Sequence, residues 1–172
     1  KKLVARTLLT IILGSFFNFT SFASWFSDVT TKTANKEAIL YLQDKGIING
    51  YDDGTFKPSK SVSRAEFLKI IIEGSKLELD NDNEVEIPFT DIEQAAWYKP
   101  YVITAYSSGW INGYEDGTFK PNKTISKVEA LKVLAKAQNW KVEKINTGTL
   151  KNYFKDVVTT VWYAPYLAYA KQ

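Results

Sequence analysis

Apolar residues recur at helical spacing in two stretches of the chain, each directly behind a Ser-x-x-Glu sequence. A serine at the N-cap and a glutamate three residues later form a capping box, in which each side chain accepts a hydrogen bond from a backbone N–H. We therefore predict amphipathic helices that begin behind Ser63 and Ser126. Their apolar stripes, expected in a protein core rather than around a cofactor, are Ala65, Leu68, Ile71 and Ile72 in the first and Val128, Leu131, Leu134 and Ala135 in the second.

A shorter helix is predicted ahead of each long one, from about residue 35 to 45 and from about residue 99 to 108. Gly46 and Gly109 stand where left-handed C-terminal caps are expected. Pro100 fits the first turn of its helix, where a missing N–H costs nothing, and Pro165 fits the same place in a later helix. The loop between the short and the long helix contains Asn-Gly and Asp-Gly pairs, which favour turns with positive φ.

These helices and loops belong to a repeat of 63 residues. The segment NGYDDGTFKP at 49–58 returns as NGYEDGTFKP at 112–121, and 14 of the 24 positions from 49 to 72 are identical at this offset. The sequence Phe-Lys-Asp-Val at 154–157 restarts the opening motif of the repeat, so a third copy begins there. Because two short helices cannot bury a core alone, the repeats are expected to pack on each other.

The repeat predicts the domain organisation. We assign residues 25–75 to the first repeat and residues 88–138 to the second. Residues 153–172 are the start of a third repeat, so we expect the chain to be a fragment that ends inside it. The segments between the repeats show no structural period and are interpreted as linkers, an acidic one at 76–87 and a second one at 139–152.

Residues 1–23 have the features of a secretory signal peptide. Lys1, Lys2 and Arg6 precede a short apolar stretch, and small residues stand at the two positions that a signal peptidase inspects. The apolar stretch is short for a membrane span, which needs about 20 residues, although an uncleaved anchor is the alternative. We predict an exported protein whose mature chain begins near Ser24.

The amino-acid composition excludes several kinds of functional site. The chain has no cysteine and no histidine, which excludes disulfides, thiolate or imidazole metal sites and a Ser–His–Asp triad. The formal charge of +3 comes from the three basic residues before position 24, so nothing favours nucleic acid as a partner. The Asp-Gly loop does not match a calcium loop, because Lys60 and Lys123 stand where the last ligand, a glutamate, is required. We predict no metal, no cofactor and no enzymatic activity.

The repeated motif resembles the S-layer homology domain. The resemblance rests on Phe-x-Asp-Val, an aromatic first helix, GIINGYDDGTFKP and then Ser-Arg-Ala-Glu, and it covers 25–172. It implies a mainly α fold of tandem helix–loop–helix repeats, packed in a pseudo-threefold arrangement around a shared helical bundle. It also implies noncovalent anchoring to a bacterial cell-wall polysaccharide, often one with pyruvate ketals, in grooves between repeats.

The resemblance suggests which cations bind the polymer. Arg64 matches the arginine of the family's Thr-Arg-Ala-Glu motif, and a guanidinium can bind a pyruvate carboxylate through two hydrogen bonds. In the second copy Lys127 and Val128 stand in place of Arg-Ala, so the charge is kept and the planar fork is lost. We expect the groove served by Lys127 to bind more weakly or only to support the fold.

Further candidates are acidic or aromatic. Asp28, Asp91 and Asp156 could accept hydrogen bonds from sugar hydroxyls, or could brace the turn into the first helix. Trp97 and Trp162 could stack on the apolar face of a sugar, or could belong to the core. The first copy has Ala34 and Asn35 where the others have Trp-Tyr. Glu66 and Glu129 are interpreted as caps.

Two other functions compete with wall binding. A glycosidase needs only a pair of carboxylates, but the adjacent acids Asp52 and Asp53 lie on a turn that recurs in both copies, which indicates a structural role. A self-assembly module of a surface layer is the second alternative, with the repeats binding one another. We favour the wall-binding module, which could also be the anchoring part of a larger glycoside hydrolase.

Overall fold

A computed structural model describes residues 26–80, 85–143 and 145–171. The predicted signal peptide lies outside these ranges. Within them no helix is both long and apolar enough to cross a membrane. The helices are α1 (Lys36–Asp44), α2 (Arg64–Ser75), α3 (Lys99–Ser107), α4 (Lys127–Ala137) and α5 (Ala164–Ala170), with one 3₁₀ helix (Gly148–Asn152) before α5. The described part contains no β-strand, only one bridge between Ser63 and Thr124, so the predicted mainly α fold is confirmed.

The two long helices begin as the sequence predicts. Ser63 caps α2 and Ser126 caps α4, and in each the glutamate three residues later accepts a hydrogen bond from the serine N–H, which completes a capping box. The shorter helices α3 and α5 carry proline in their first turn. Gly46 and Gly109 follow the ends of α1 and α3 with φ of 68° and 70°, so their left-handed geometry is confirmed.

The main core joins the first two repeats. Ala65, Leu68 and Ile72 of α2 are buried together with Phe89, Val102 and other residues of the second repeat. A smaller cluster around Phe26, Ile39 and Ile48 stays within the first repeat. The prediction that the repeats pack on each other is confirmed, whereas the pseudo-threefold arrangement remains a prediction.

Two details differ from the sequence-based expectation. The stripe of α4 is buried at Ala135, while Val128, Leu131 and Leu134 are only half-buried and Val133 enters the main core instead. The second linker contains a 3₁₀ helix, which its lack of a structural period did not predict. Its 3₁₀ helix places Leu150, which is fully buried, against Ala164 and Ala168 of α5, and Ile145 of the same linker packs against this cluster.

Candidate functional site

Each Asp-Gly loop is held in place by the aspartate of the Phe-x-Asp motif. The Asp28 carboxylate accepts hydrogen bonds from the Phe56 and Lys57 N–H groups at 2.8 and 2.7 Å. Asp91 accepts from the Phe119 and Lys120 N–H groups at the same distances. The bond from Phe56 is the main reason that the pKa of Asp28 is lowered. In this structure both carboxylates therefore brace a loop.

A groove lies beside each loop, and the two grooves occupy corresponding positions in the repeats. Groove 1 has a volume of about 400 Å³ and lies between loop 1 (residues 49–58) and Trp97 of the second repeat. Groove 2 has a volume of about 620 Å³ and lies between loop 2 (residues 112–121) and Trp162 of the third repeat. Arg64 from the first repeat also lines groove 2, whereas no arginine lines groove 1 within the described residues.

Arg64 is held rigidly where the first repeat meets loop 2. Its backbone N–H donates to the Lys123 carbonyl oxygen, and its Nε donates to the Phe119 carbonyl oxygen at 2.8 Å. The guanidinium carbon lies 4.6 Å from the ring centres of both Tyr114 and Phe119, a distance at which a cation and an aromatic face attract. The residue is only 8% exposed, so its orientation is fixed before any ligand arrives.

Glu129 extends this cluster in groove 2. Its Oε1 accepts from the Tyr114 hydroxyl at 2.6 Å and from Arg64 Nη1 at 3.4 Å. Its Oε2 accepts from the Ser126 N–H and hydroxyl groups, both at 2.8 Å. Partial burial alone would raise the pKa of Glu129, but the hydrogen bonds from Tyr114 and Ser126 and the charge of Arg64 lower it to about 2. The carboxylate is therefore charged at neutral pH.

The two candidate tryptophans lie at the groove edges rather than in the core. Trp97 is 55% exposed and Trp162 is 53% exposed. Lys132 of α4 lies 5.4 Å from the centre of the Trp162 ring. Burial is the main reason that the pKa of Lys132 is lowered, with Lys136 and Arg64 adding repulsion. Groove 2 thus combines a cation from the first repeat, a cation from the second and an exposed indole from the third.

The structure does not bring all the predicted residues together. Lys127 is exposed at the first turn of α4 and lines neither groove. Asp156 is exposed and makes no hydrogen bond to a residue that the structure describes. Sequence reasoning missed Tyr114 and Lys132 as lining residues. Their recurrence as Tyr51 and Lys69 in the first repeat is a signal that could have found them.

The chain is similar to a known domain family and to known surface proteins. A family model of the S-layer homology domain matches residues 26–68 and 88–131. The chain is 31% identical over 163 residues to the S-layer protein sap of Bacillus anthracis, a match that covers 94% of this chain and 19% of that protein.

Two further relatives are surface or anchoring proteins. The cellulosome-anchoring protein of Acetivibrio thermocellus is 33% identical over 129 residues, covering 73% of this chain and 27% of that protein. The surface-layer 125 kDa protein of Lysinibacillus sphaericus is 32% identical over 135 residues, covering 78% of this chain and 11% of that protein. The chain thus spans about a quarter or less of the length of these relatives.

Proposed function

The chain belongs to the S-layer homology domain family, and from this membership we propose that it anchors an exported protein to the bacterial cell wall. The exported, cell-surface location predicted from the sequence is confirmed by its kinship with surface-layer and cell-surface proteins. The proposed ligand is an anionic secondary cell-wall polysaccharide, with a pyruvate ketal as the anionic group, bound in the grooves between repeats.

The observation that carries the proposal is the presentation of Arg64 in groove 2. Nε and Nη1 are engaged by Phe119 and Glu129, whereas Nη2 makes no hydrogen bond to a described residue. Among these residues no buried side-chain nitrogen or oxygen lacks a partner, so Nη2 keeps contact with solvent, and Arg64 lines groove 2. A fixed guanidinium with one free edge can bind a carboxylate without first losing side-chain entropy.

The remaining groove residues suit a sugar that carries such a carboxylate. Trp162 exposes an aromatic face on which the apolar face of a pyranose ring can stack. Lys132 beside it supplies a second positive charge. Asp28, Asp91 and Asp156 remain candidates for contacts to sugar hydroxyls, but the bonds of the first two to loop N–H groups favour their bracing role.

We propose that the module is not an enzyme. The glycosidase alternative relied on the acids of the Asp-Gly turn, and Asp53 is already engaged there. The Thr55 N–H donates to its carboxylate, and Lys57 Nζ lies 2.9 Å from it. Hydrogen bonds from Thr55 and Lys57 lower the pKa of Asp53 to about 2, whereas a catalytic acid of a glycosidase requires a raised pKa.

We further propose the repeat boundaries 25–75, 88–138 and 153–172, with the repeats arranged in a pseudo-threefold unit. The contact of α2 with both α3 and α4 supports this arrangement, because it places the first repeat directly on the second. The corresponding face of loop 1 is more exposed, with Pro58 open to solvent where Pro121 is buried. A further repeat packed on loop 1 would cover that face.

Co-sedimentation with purified cell walls tests the proposal. The wild-type chain, Arg64→Ala and Lys127→Ala are mixed with walls before and after chemical removal of the secondary polysaccharide. We expect the wild type and Lys127→Ala to bind untreated walls, Arg64→Ala to lose most of its binding, and stripped walls to bind none of them. Equal binding to both kinds of wall would point to peptidoglycan, and concentration-dependent oligomers with no wall binding would point to self-assembly.

A further inference from the structure

The charged side chains of the two grooves differ in balance. Groove 2 is lined by three basic and three acidic residues, so their formal charges cancel: Arg64, Lys120 and Lys132 against Glu115, Asp116 and Glu129. Groove 1 is lined by Lys57, Lys60 and Lys69 and by one acid, Glu66. The groove that contains the arginine is therefore the less positive of the two.

Within groove 2, Glu129 is the acid that lies closest to the proposed anion site. Glu115 is exposed to solvent, and Lys120 Nζ pairs with the Asp116 carboxylate at 2.7 Å. Arg64, Lys132 and Glu129 are therefore the buried or half-buried charges of the groove that this pair does not use. Glu129 lies 3.4 Å from the guanidinium and has only 18% of its side chain exposed. The three groups together carry one net positive charge.

The Glu129 carboxylate cannot easily move away when a ligand enters. Both of its oxygens are engaged, Oε2 by Ser126 in the capping box and Oε1 by Tyr114 and Arg64. Tyr114 is itself held, because Lys123 Nζ donates to its hydroxyl oxygen at 3.1 Å. An incoming anion must therefore bind Arg64 beside a fixed negative charge.

We infer that Glu129 makes groove 2 selective for ligands whose anionic group carries a single negative charge, such as a carboxylate, over ligands that carry a doubly charged phosphate monoester. One carboxylate neutralises the net charge of Arg64, Lys132 and Glu129. A dianion leaves an excess negative charge in a partly desolvated site, where like charges repel more strongly than in water. Selectivity then arises from the repulsion by Glu129 as well as from the attraction by Arg64 and Lys132. This inference rests on the proposed function.

Glu66 is the matched control, because it stands in the same capping box of the first repeat. Its Oε2 accepts from the Ser63 N–H at 2.7 Å, and its Oε1 lies 3.5 Å from Lys60 Nζ. No arginine stands beside it within the described residues. Replacing Glu66 by glutamine therefore removes the same charge from the same kind of capping box without touching Arg64.

The test uses two disaccharides that differ only in the anionic group, a pyruvate ketal in one and a phosphate monoester in the other. Their affinities for the wild-type chain, Glu129→Gln and Glu66→Gln are measured by titration calorimetry at about pH 7.5, where a phosphate monoester is mostly a dianion. Glutamine also serves in a capping box, and the melting temperature of each variant shows whether its fold is intact.

We expect the wild type to bind the pyruvate ketal roughly tenfold more tightly than the phosphate ester, and Glu129→Gln to lose most of that preference. Glu66→Gln should keep the wild-type ratio. An unchanged ratio in Glu129→Gln, or a wild type that prefers the phosphate ester, would overturn the inference while leaving polysaccharide binding intact. A wild type that binds neither disaccharide would refute the proposed function and this inference with it.

Discussion

Loops 1 and 2 have nearly the same sequence but different surroundings. Phe119 of loop 2 is 1% exposed, whereas the corresponding Phe56 of loop 1 is only half-buried. The difference comes from the start of α2, which lies on loop 2. The N–H of Ala65 donates to the Pro121 carbonyl oxygen at 3.0 Å, and the N–H of Ile125 donates to the Val62 carbonyl oxygen at 3.0 Å. The neighbouring repeat, and not the loop sequence, decides how deeply the loop is buried.

The same contact makes the grooves different. By lying on loop 2, the first repeat brings Arg64 against Tyr114 and so converts a loop surface into a candidate anion site. The corresponding Tyr51 in groove 1 is flanked by Lys57 and Lys60, at 4.2 and 4.6 Å from its ring centre, and by no arginine among the residues that the structure describes. The first repeat thus contributes Arg64 to the candidate site beside the loop of the second repeat.

The largest expected difference between the two loops is in stability. Phe119→Ala should lower the free energy of unfolding by about 3–5 kcal/mol, because it leaves a cavity in the main core. Phe56→Ala should cost about 1–2 kcal/mol, because less apolar surface is lost from a half-exposed site. Chemical denaturation measures the free energy of unfolding of both variants. Equal losses in the two would contradict the difference in burial between Phe119 and Phe56.

Replacing Arg64 by lysine should affect both binding and stability. Lysine keeps the charge but cannot reproduce the bond from Nε to the Phe119 carbonyl oxygen, and an unpaired buried carbonyl costs about 1–3 kcal/mol. Affinity for a pyruvylated glycan should fall roughly tenfold, because the planar fork is lost. Lys127→Arg is the control and should change neither quantity. Calorimetry measures the glycan affinity, and chemical denaturation measures the free energy of unfolding. Full affinity in Arg64→Lys would show that a positive charge is enough for binding and that the planar fork is not needed.

A smaller effect is expected at the groove edges. Trp162→Ala should weaken glycan binding roughly fivefold, in line with the energy of one aromatic stacking contact. Trp97→Ala, in the groove without an arginine, should leave the affinity of the tight site unchanged. Both side chains are about half exposed, so neither change should lower the melting temperature by much. A larger loss of affinity from Trp97→Ala than from Trp162→Ala would show that groove 1, and not groove 2, binds the glycan more tightly.

The smallest expected effect is a pH dependence. The pKa of Glu129 is about 2 in the folded protein, against an ordinary value of 4.5, so its ionisation stabilises the fold at pH values above 4.5. That contribution is lost as the pH falls from 4.5 towards 2. The stability difference between the wild type and Glu129→Gln should therefore shrink over this interval. A difference that stays constant from neutral pH to pH 2 would contradict the lowered pKa.

Local signals predicted much of the fold from the sequence. Ser63 and Ser126 cap their helices, and Pro100 and Pro165 lie in first turns, because these choices depend on neighbours within one turn. The burial of Val133 in place of Leu131 was not predictable in this way, because it depends on the direction from which other helices approach α4. Leu150 was missed because the apolar residues of its linker, Trp140, Val142, Ile145 and Leu150, follow neither a helical nor a strand period.

The candidate site was predictable only in part. The sequence suggested Arg64 through the family motif and Trp162 through the stacking of indoles on sugars, but it could not show that both line the same groove. Lys127 was expected to act as the counterpart of Arg64, yet it lines neither groove. The packing between repeats decides which residues line each groove. An alignment of one repeat with another does not show this packing.

The central claim is that groove 2 is the principal anion site, and nuclear magnetic resonance tests it most directly. A pyruvylated disaccharide is titrated into the isotope-labelled chain while the backbone signals of Gly113 and Gly50 and the indole signals of Trp162 and Trp97 are followed. We predict that Gly113 and Trp162 shift first and saturate at the lower ligand concentration, and that both shifts disappear in Arg64→Ala. Earlier saturation of Gly50 and Trp97, or unchanged shifts in Arg64→Ala, would contradict the claim.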